Sequence, residues 1–427
     1  MERLPQTSAG FAESVVPLEG KGTEWRAGPE TALTMLTQAR IVYTFLRCHP
    51  EEKTLLFLDR MIQTFWDEEA KGWIRSCTPE GAPLDRTIDT YDQPFGLLAL
   101  SEAYRACKKL ELGDRSVGDR IMTHIATSFL RDLAFDTLER LDRFARDPQG
   151  GGYWERRNGT TPSPMVVYPQ FRRQNPHMHL LEAFLAWQEV DPPGPWMAHA
   201  REMVELFRRR FRSPETGYLA EYFDDRWNLA SGDAGRVREP GHQYEWVWLL
   251  DWYGRLSGDP SVRKEGEFLY RFAWEKGTDP EDGLAYAVVD DRGEVVDGGK
   301  LLWPQTEMLK AHGVMYRWTG DTRYRSIAEE AYRRIQRKFM RGESPLFYNR
   351  LDRTGAPDPA PALSRLLYHL YGGQLWRRRM KRFPRAERWG TCIPSGAGSP
   401  SSIRNSSIHN RRHTWLYYYT SWKSSFP

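Results

Sequence analysis

Apolar residues recur three and four positions apart through most of the chain, and the stretches that show this spacing come in pairs. Glu30 to Arg47 is followed by Glu51 to Trp66, and His242 to Tyr253 by Ser261 to Trp274; this period predicts helices with one apolar face. Proline punctuates the starts, as in Pro29 before Glu-Thr, Pro176 before His177 and Asp259-Pro260-Ser261, where a missing N–H costs a first helical turn nothing. About six pairs are expected, near residues 29–66, 91–133, 176–211, 242–275 and 303–339, with a last one beginning near Pro361. Between pairs a short alternating run recurs, beginning at Gly72, Gly151, Gly217, Gly283 and Pro345 at intervals of 79, 66, 66 and 62 residues. Such runs read as small hairpins. A helical pair plus a hairpin repeated along a chain predicts a closed or open repeat architecture, and six such pairs most naturally close. The expected fold is all-α, an (α/α)6 barrel with short β-hairpins between helix pairs. It is assigned to residues 25–375, with an N-terminal extension at 1–24 and a separate tail at 376–427.

Composition narrows the partners. With 40% hydrophobic and 28% charged residues in 427, the chain is globular and not disordered. No stretch approaches the roughly 20 apolar residues needed to cross a bilayer. The N-terminus, MERLPQTSAGFAESVVPLEG, lacks a basic region followed by an apolar run, so a cytoplasmic protein without a membrane partner is expected. Cys48, Cys77, Cys107 and Cys392 show no CxxC spacing, against a zinc ribbon, redox pair or disulfide framework. The net charge of +4 is uneven, because residues 376–427 hold 11 Lys and Arg against Glu387 alone. The remainder is mildly acidic and offers no broad basic surface for nucleic acid. The 17 Trp, 20 Tyr and 19 Phe supply core packing, and also flat apolar faces with polar handles that suit a sugar.

In a barrel of this kind the inner helices converge on a central cleft, so their starts are where chemistry is expected. They carry Arg40 in TQARIVYTF, Tyr91 and Asp92 in TYDQPFGLLA, and Asn175, His177 and His179 in RRQNPHMHLLEA. Further along are His242 and Glu245 in EPGHQYEWVW, Trp303, Gln305 and Glu307 in LLWPQTEMLKA, and His369 in SRLLYHLYGG. Four of only ten histidines fall at these places, and histidine suits proton transfer near neutrality. His242 and Glu245 share a helical face, which places the carboxylate to orient the imidazole or to form an ordinary ion pair. His177 and His179 have donor types compatible with zinc or iron. On a helix, positions two apart point about 200° away from each other, which favours an acid/base site with no metal and no cofactor. There is no Walker loop, no GxGxxG after a strand, no GxSxG and no Cys-His nucleophile context.

RRQNPHMHLLEA, EPGHQYEW and LLWPQTE, followed by a later Tyr-His, resemble the N-acylglucosamine 2-epimerase superfamily and, within it, the D-mannose isomerase-like branch. The resemblance runs from about residue 25 to 373 and rests on the combination of NPHMH with WPQTE. It implies an (α/α)6 barrel that needs neither metal nor nucleotide. It further implies that His242 and His369 move a proton between C1 and C2 of an open-chain sugar through a cis-enediol, with His179 serving ring opening and sugar binding. Arg40, Asn175, Glu245, Trp303 and Glu307 match binding positions, as does Tyr91. The expected substrate is a monosaccharide, and the expected assembly a monomer or homodimer.

The leading expectation is therefore an aldose–ketose isomerase acting on D-mannose or a close analogue. The alternatives are a 2-epimerase on the same fold, a glycoside hydrolase drawing on Glu182, Glu245, Glu307 and Asp92, and a sugar-binding protein that uses the aromatics and Arg40. Two positions depart from the family. Leu36 stands where a tryptophan is common. Arg365, four before His369, stands where some relatives have glutamine, and a cation there binds a phosphate or carboxylate or pairs with a nearby acid. After Gly373 the family would finish an outer helix, whereas the tail here is rich in Pro, Gly and Ser and reads as disordered. A reading-frame change would produce such an end; the alternative is a basic extension for a partner or an anionic surface.

Overall fold

Among the described residues there are twelve α-helices: α1 (Met35–Cys48), α2 (Glu52–Phe65), α3 (Gln93–Glu111), α4 (Val117–Arg140), α5 (Asn175–Val190), α6 (Trp196–Leu206), the single turn α7 (Asp233–Arg236), α8 (Pro240–Ser257), α9 (Ser261–Glu275), α10 (Leu302–Thr319), α11 (Thr322–Lys338) and α12 (Leu367–Met380). The structure, a computed structural model, describes residues 4–18, 24–48, 52–111, 117–155, 171–342, 344 and 346–382. Helix ends follow local chemistry. Pro240 opens α8, left-handed Gly258 and Gly320 close α8 and α10, and Asp321 caps α11 by accepting the Arg323 N–H.

Helices α1, α3, α5, α8, α10 and α12 pack each against the next, and α12 returns to α1, closing a ring. Helices α2, α4, α6, α9 and α11 pack outside α1, α3, α5, α8 and α10 respectively. Burial separates the two sets. Inner α8 and α10 are covered on nearly every face, whereas outer α11 buries only a stripe of Ala328, Ala331 and Ile335. The architecture is the expected (α/α)6 barrel, with six inner and five outer helices among the described residues. Helix α12 runs to Met380, past the boundary drawn at 375, and buries Trp376 and Met380. The remaining tail, and with it the frame-change reading, lies outside the described residues.

The hairpins repeat with a regular register. Trp66 bridges Trp73, Arg146 bridges Tyr153, Arg212 bridges Leu219, Thr278 bridges Ala285 and Met340 bridges Phe347. In the first four, the residue two before the second partner is left-handed: Lys71, Gly151, Gly217 and Gly283. Glycine adopts this conformation freely, which explains the recurring Gly. In the first unit, however, Lys71 holds that position and not the Gly72 singled out from sequence. Each hairpin is then pinned by the next inner helix. Gln93 takes the Trp73 N–H and donates to its carbonyl, Gln243 does the same for Leu219 and Gln305 for Ala285, and His177 Nε2 accepts the Tyr153 N–H.

Before α1 the corresponding place is taken by the N-terminal segment: Gln38 accepts the Phe11 N–H and donates to its carbonyl. The strand Ser14–Pro17 pairs with Trp25–Ala27 on one side and Ala362–Leu363 on the other. The stretch read as an extension is thus packed into the ring, where it joins the lead-ins of α12 and α1. Glu13 anchors it, accepting from the Thr34 N–H and hydroxyl and from the Thr37 hydroxyl. Glu13→Ala leaves these donors without an acceptor and is expected to cost about 2–4 kcal/mol, read as a lowered Tm in thermal unfolding.

Candidate active site

The N-terminal ends of the inner helices surround a cavity of about 470 Å³, within the ordinary range for a small-molecule site. The pinning residues explain which side chains reach it. Two positions after Gln38, His177 and Gln243 the helix turns Arg40, His179 and Glu245 inward, and one turn earlier Leu36, Asn175 and Trp303 form an upper layer. His242, His369, Tyr91 and Arg365 complete the wall. Gln305 and His177 serve the hairpins instead. His177 is completely buried, and burial lowers its pKa to about 3, so it packs as a neutral ring with Nδ1 facing the Arg173 carbonyl.

The two histidines expected to act together line the same cavity, each tilted against the Trp303 indole, whose ring centroid is 5.0 Å from that of His242 and 5.9 Å from that of His369. Their electrostatic settings are opposite. His242 Nδ1 lies 2.9 Å from Glu221 and 3.5 Å from Glu239. Burial alone would lower its pKa, but the charges of Glu221 and Glu239 outweigh this and raise it to about 10. His369 Nδ1 lies 2.8 Å from Glu307. There burial wins, with Arg40 and Lys310 adding to it against Glu307, and the pKa falls to about 4. At neutral pH the site pairs an imidazolium with a neutral imidazole. His179 is the third ring, Nδ1 held by Glu182 at 3.2 Å and neutral because burial lowers its pKa to about 4.

Glu245 and Glu307 differ as sharply. Burial, reinforced by the charge of Glu307, pushes Glu245 up to about 8, so its carboxyl is protonated. Glu307 goes down to about 2, because Lys310 and His369 outweigh its burial. It was expected to bind substrate but is fully buried behind His369, engaged by Trp248 Nε1 at 2.7 Å and Lys310 at 2.6 Å. Its Oε1 also holds His369 Nδ1 at 2.8 Å. Among the described residues, three buried polar atoms of the cavity wall have no partner: Arg40 Nε, Asn175 Oδ1 and Glu245 Oε1. Such orphans are costly unless a ligand or water meets them, and a polyhydroxyl ligand is suited to do so.

The geometry corrects the expected role of Glu245 toward His242. The carboxylates holding that ring are Glu221, from the preceding hairpin, and Glu239, one turn before it on the chain. Glu221 has no helical spacing to His242, so sequence reasoning had no signal for it. Glu182 was legible, since it is three residues after His179 on one helix. Asp92 is buried and absent from the cavity wall, its carboxyl pushed up to about 8 by burial and by Asp89. Two donor sets could be weighed for a metal, His179 with Glu182 and Glu245, and Glu221 with Glu239 and His242. In each, the imidazole Nδ1 bonds one of those carboxylates.

The model of the N-acylglucosamine 2-epimerase family (GlcNAc 2-epimerase) matches residues 26–373. The chain belongs to this family. It is 30% identical over 299 residues to a mannose-6-phosphate isomerase of Rhizobium meliloti (strain 1021), covering 68% of this chain and 70% of that protein. It is 22% identical over 384 residues to the cellobiose 2-epimerase of Dictyoglomus turgidum, covering 84% and 90%. A crystal structure of a D-mannose isomerase superposes with a TM-score of 0.72 at 18% identity, over 87% of this chain and 92% of that one, which supports the fold. Among the described residues no helix is long and apolar enough to cross a membrane.

Proposed function

We propose that this sugar isomerase or epimerase is an aldose–ketose isomerase interconverting D-mannose, or a close analogue, and D-fructose. What supports the reading is a cationic His242 and a neutral His369 in one cavity, both against the Trp303 indole. In the aldose-to-ketose direction His369 takes the proton from C2 and His242 donates one to the C1 carbonyl oxygen, giving a cis-enediol. His369 then returns its proton to C1 while His242 recovers one from the C2 hydroxyl, whose oxygen becomes the new carbonyl. Both rings end as they began, so a fixed difference in protonation serves every turnover. His179 and the protonated Glu245 are placed to exchange protons with the ring oxygen and hydroxyls during opening.

Epimerisation with one base on each face of C2 leaves the two rings with exchanged protonation, which opposes the charges built around them. That favours the isomerase reading over the 2-epimerase one, although relatives include both, D-mannose isomerase of Thermobifida fusca and cellobiose 2-epimerases. Hydrolysis needs two opposed carboxylates. Here Glu221, Glu239 and Glu245 share the α8 side of the cavity, while Arg40, Arg365 and His369 line the α1 and α12 side. Proton NMR of the purified protein with D-mannose in deuterated water, with EDTA present, tests the proposal. Fructose is expected, carrying deuterium at C1 in those turnovers where the proton held by His369 exchanges with solvent before its return; glucose without fructose would replace isomerase by epimerase.

A further inference from the structure

The α1 and α12 side of the cavity holds a charge that the proposed chemistry leaves without a role. Arg365 lines the upper wall one turn before His369, is half-buried, and makes no hydrogen bond or ion pair among the described residues. The salt bridge weighed from sequence is therefore not formed among them. Arg40 lies beside it and has no carboxylate partner there either. Its guanidinium rests on the Phe95 ring at 4.4 Å and the Tyr368 ring at 5.2 Å, with Nε orphaned. Burial and the charge of Arg40 both work against the Arg365 cation. The acids whose charge reaches Arg365, Glu13 and Glu30, are held by other donors: Thr34 and Thr37 for Glu13, Ser14 for Glu30. Arg173, the third arginine of the wall, is already closed on Glu155.

Two guanidinium groups that line one cavity with no counter-ion among the described residues, one carrying an unsatisfied buried nitrogen, repel each other, and an anion between them relieves this. A dianion offering several acceptor oxygens matches two planar donor forks better than a neutral hydroxyl or a single carboxylate does. A phosphomonoester carries about −1.5 to −2 near neutrality. We propose that Arg40 and Arg365 form an anion subsite that takes the phosphate of a phosphorylated hexose while its C1–C2 end lies between His242 and His369. The inference rests on the reading of the cavity as a sugar isomerase site.

Binding separates the subsite from turnover. D-Mannitol 1-phosphate, an open-chain hexitol phosphate with no carbonyl to react, is titrated into the full-length protein by calorimetry beside D-mannitol. The phosphate is expected to bind about 10- to 100-fold more tightly, the worth of one or two charge-assisted hydrogen bonds. Arg365→Gln is expected to reduce that ratio to near one, and Arg365→Lys, which keeps the charge but not the fork, to retain part of it. Because Arg365 makes no bond among the described residues, the variants are expected to melt with the parent, and a matching Tm verifies this. Equal affinity for the two ligands, no binding of either, or a preference that survives Arg365→Gln would overturn the subsite. If the phosphate binds through Arg365 but neither mannose yields fructose nor mannose 6-phosphate yields fructose 6-phosphate, the isomerase reading fails and the subsite stands. Turnover of mannose with no phosphate preference has the reverse meaning.

Discussion

His369→Ala is expected to lower fructose formation from mannose about 10³- to 10⁴-fold, the upper range for losing a positioned general base. Affinity for a non-reacting open-chain sugar alcohol should change only a few-fold. The neutral ring is what makes the loss so large. His369 is held below its ordinary pKa by burial, by Arg40 and by Lys310, yet keeps its Nδ1 hydrogen bond to Glu307, which leaves Nε2 free to accept a proton. Alanine also strands the Glu307 carboxylate, so His369→Gln, whose amide preserves a donor toward Glu307, is the cleaner variant. Both should be inactive and folded. A binding protein would tolerate either change, and a hydrolase would respond more strongly at its carboxylates.

The second large effect is expected in the pH profile of Glu221→Gln. In the parent protein kcat/KM needs His369 neutral and His242 protonated. With values of about 4 and about 10, activity should be flat through neutrality, falling in acid as His369 gains a proton and in alkali as His242 loses one. Glu221 raises the pKa of His242 by its charge and its hydrogen bond, so removing the charge lowers it. The alkaline limb should therefore move down toward neutrality while the acid limb stays in place. At pH 8.5 the variant should retain roughly a tenth or less of parental kcat/KM, each pKa unit lost being worth about 1.4 kcal/mol. Lowering the pH should restore activity. A uniform loss at every pH would mean that Glu221 acts structurally and does not set the charge on His242.

The barrel was legible because its signals are local. The 3.6-residue period, the prolines at Pro176 and Pro260 and the left-handed Gly151, Gly217 and Gly283 each act within a few residues. Closure was expected from the count of pairs, but the strand pairing at the seam was not legible, because Ser14 pairs with Leu363 and nothing in either segment names the other. The inward positions were legible for the same reason as the helices, since an inner helix shows its start to the cavity. Within one such start, however, the sequence does not say which neighbour faces in, and His177 and Gln305 turned toward the hairpins. Least legible was the difference between His242 and His369. Both sit in aromatic-rich helix starts, and their opposite charge states depend on Glu221 and Glu239 on one side and on Arg40 and Lys310 on the other.

That difference is the centre of the account, and histidine side-chain NMR tests it most directly. Nitrogen-15 shifts of the imidazoles, assigned with His242→Gln and His369→Gln, report the protonation of each ring as pH is varied. The account predicts that at pH 7 His242 carries protons on both nitrogens and holds them to about pH 10, while His369 is neutral and resists protonation to about pH 4. Two rings titrating together near pH 6.5, or a neutral His242 at pH 7, would contradict it.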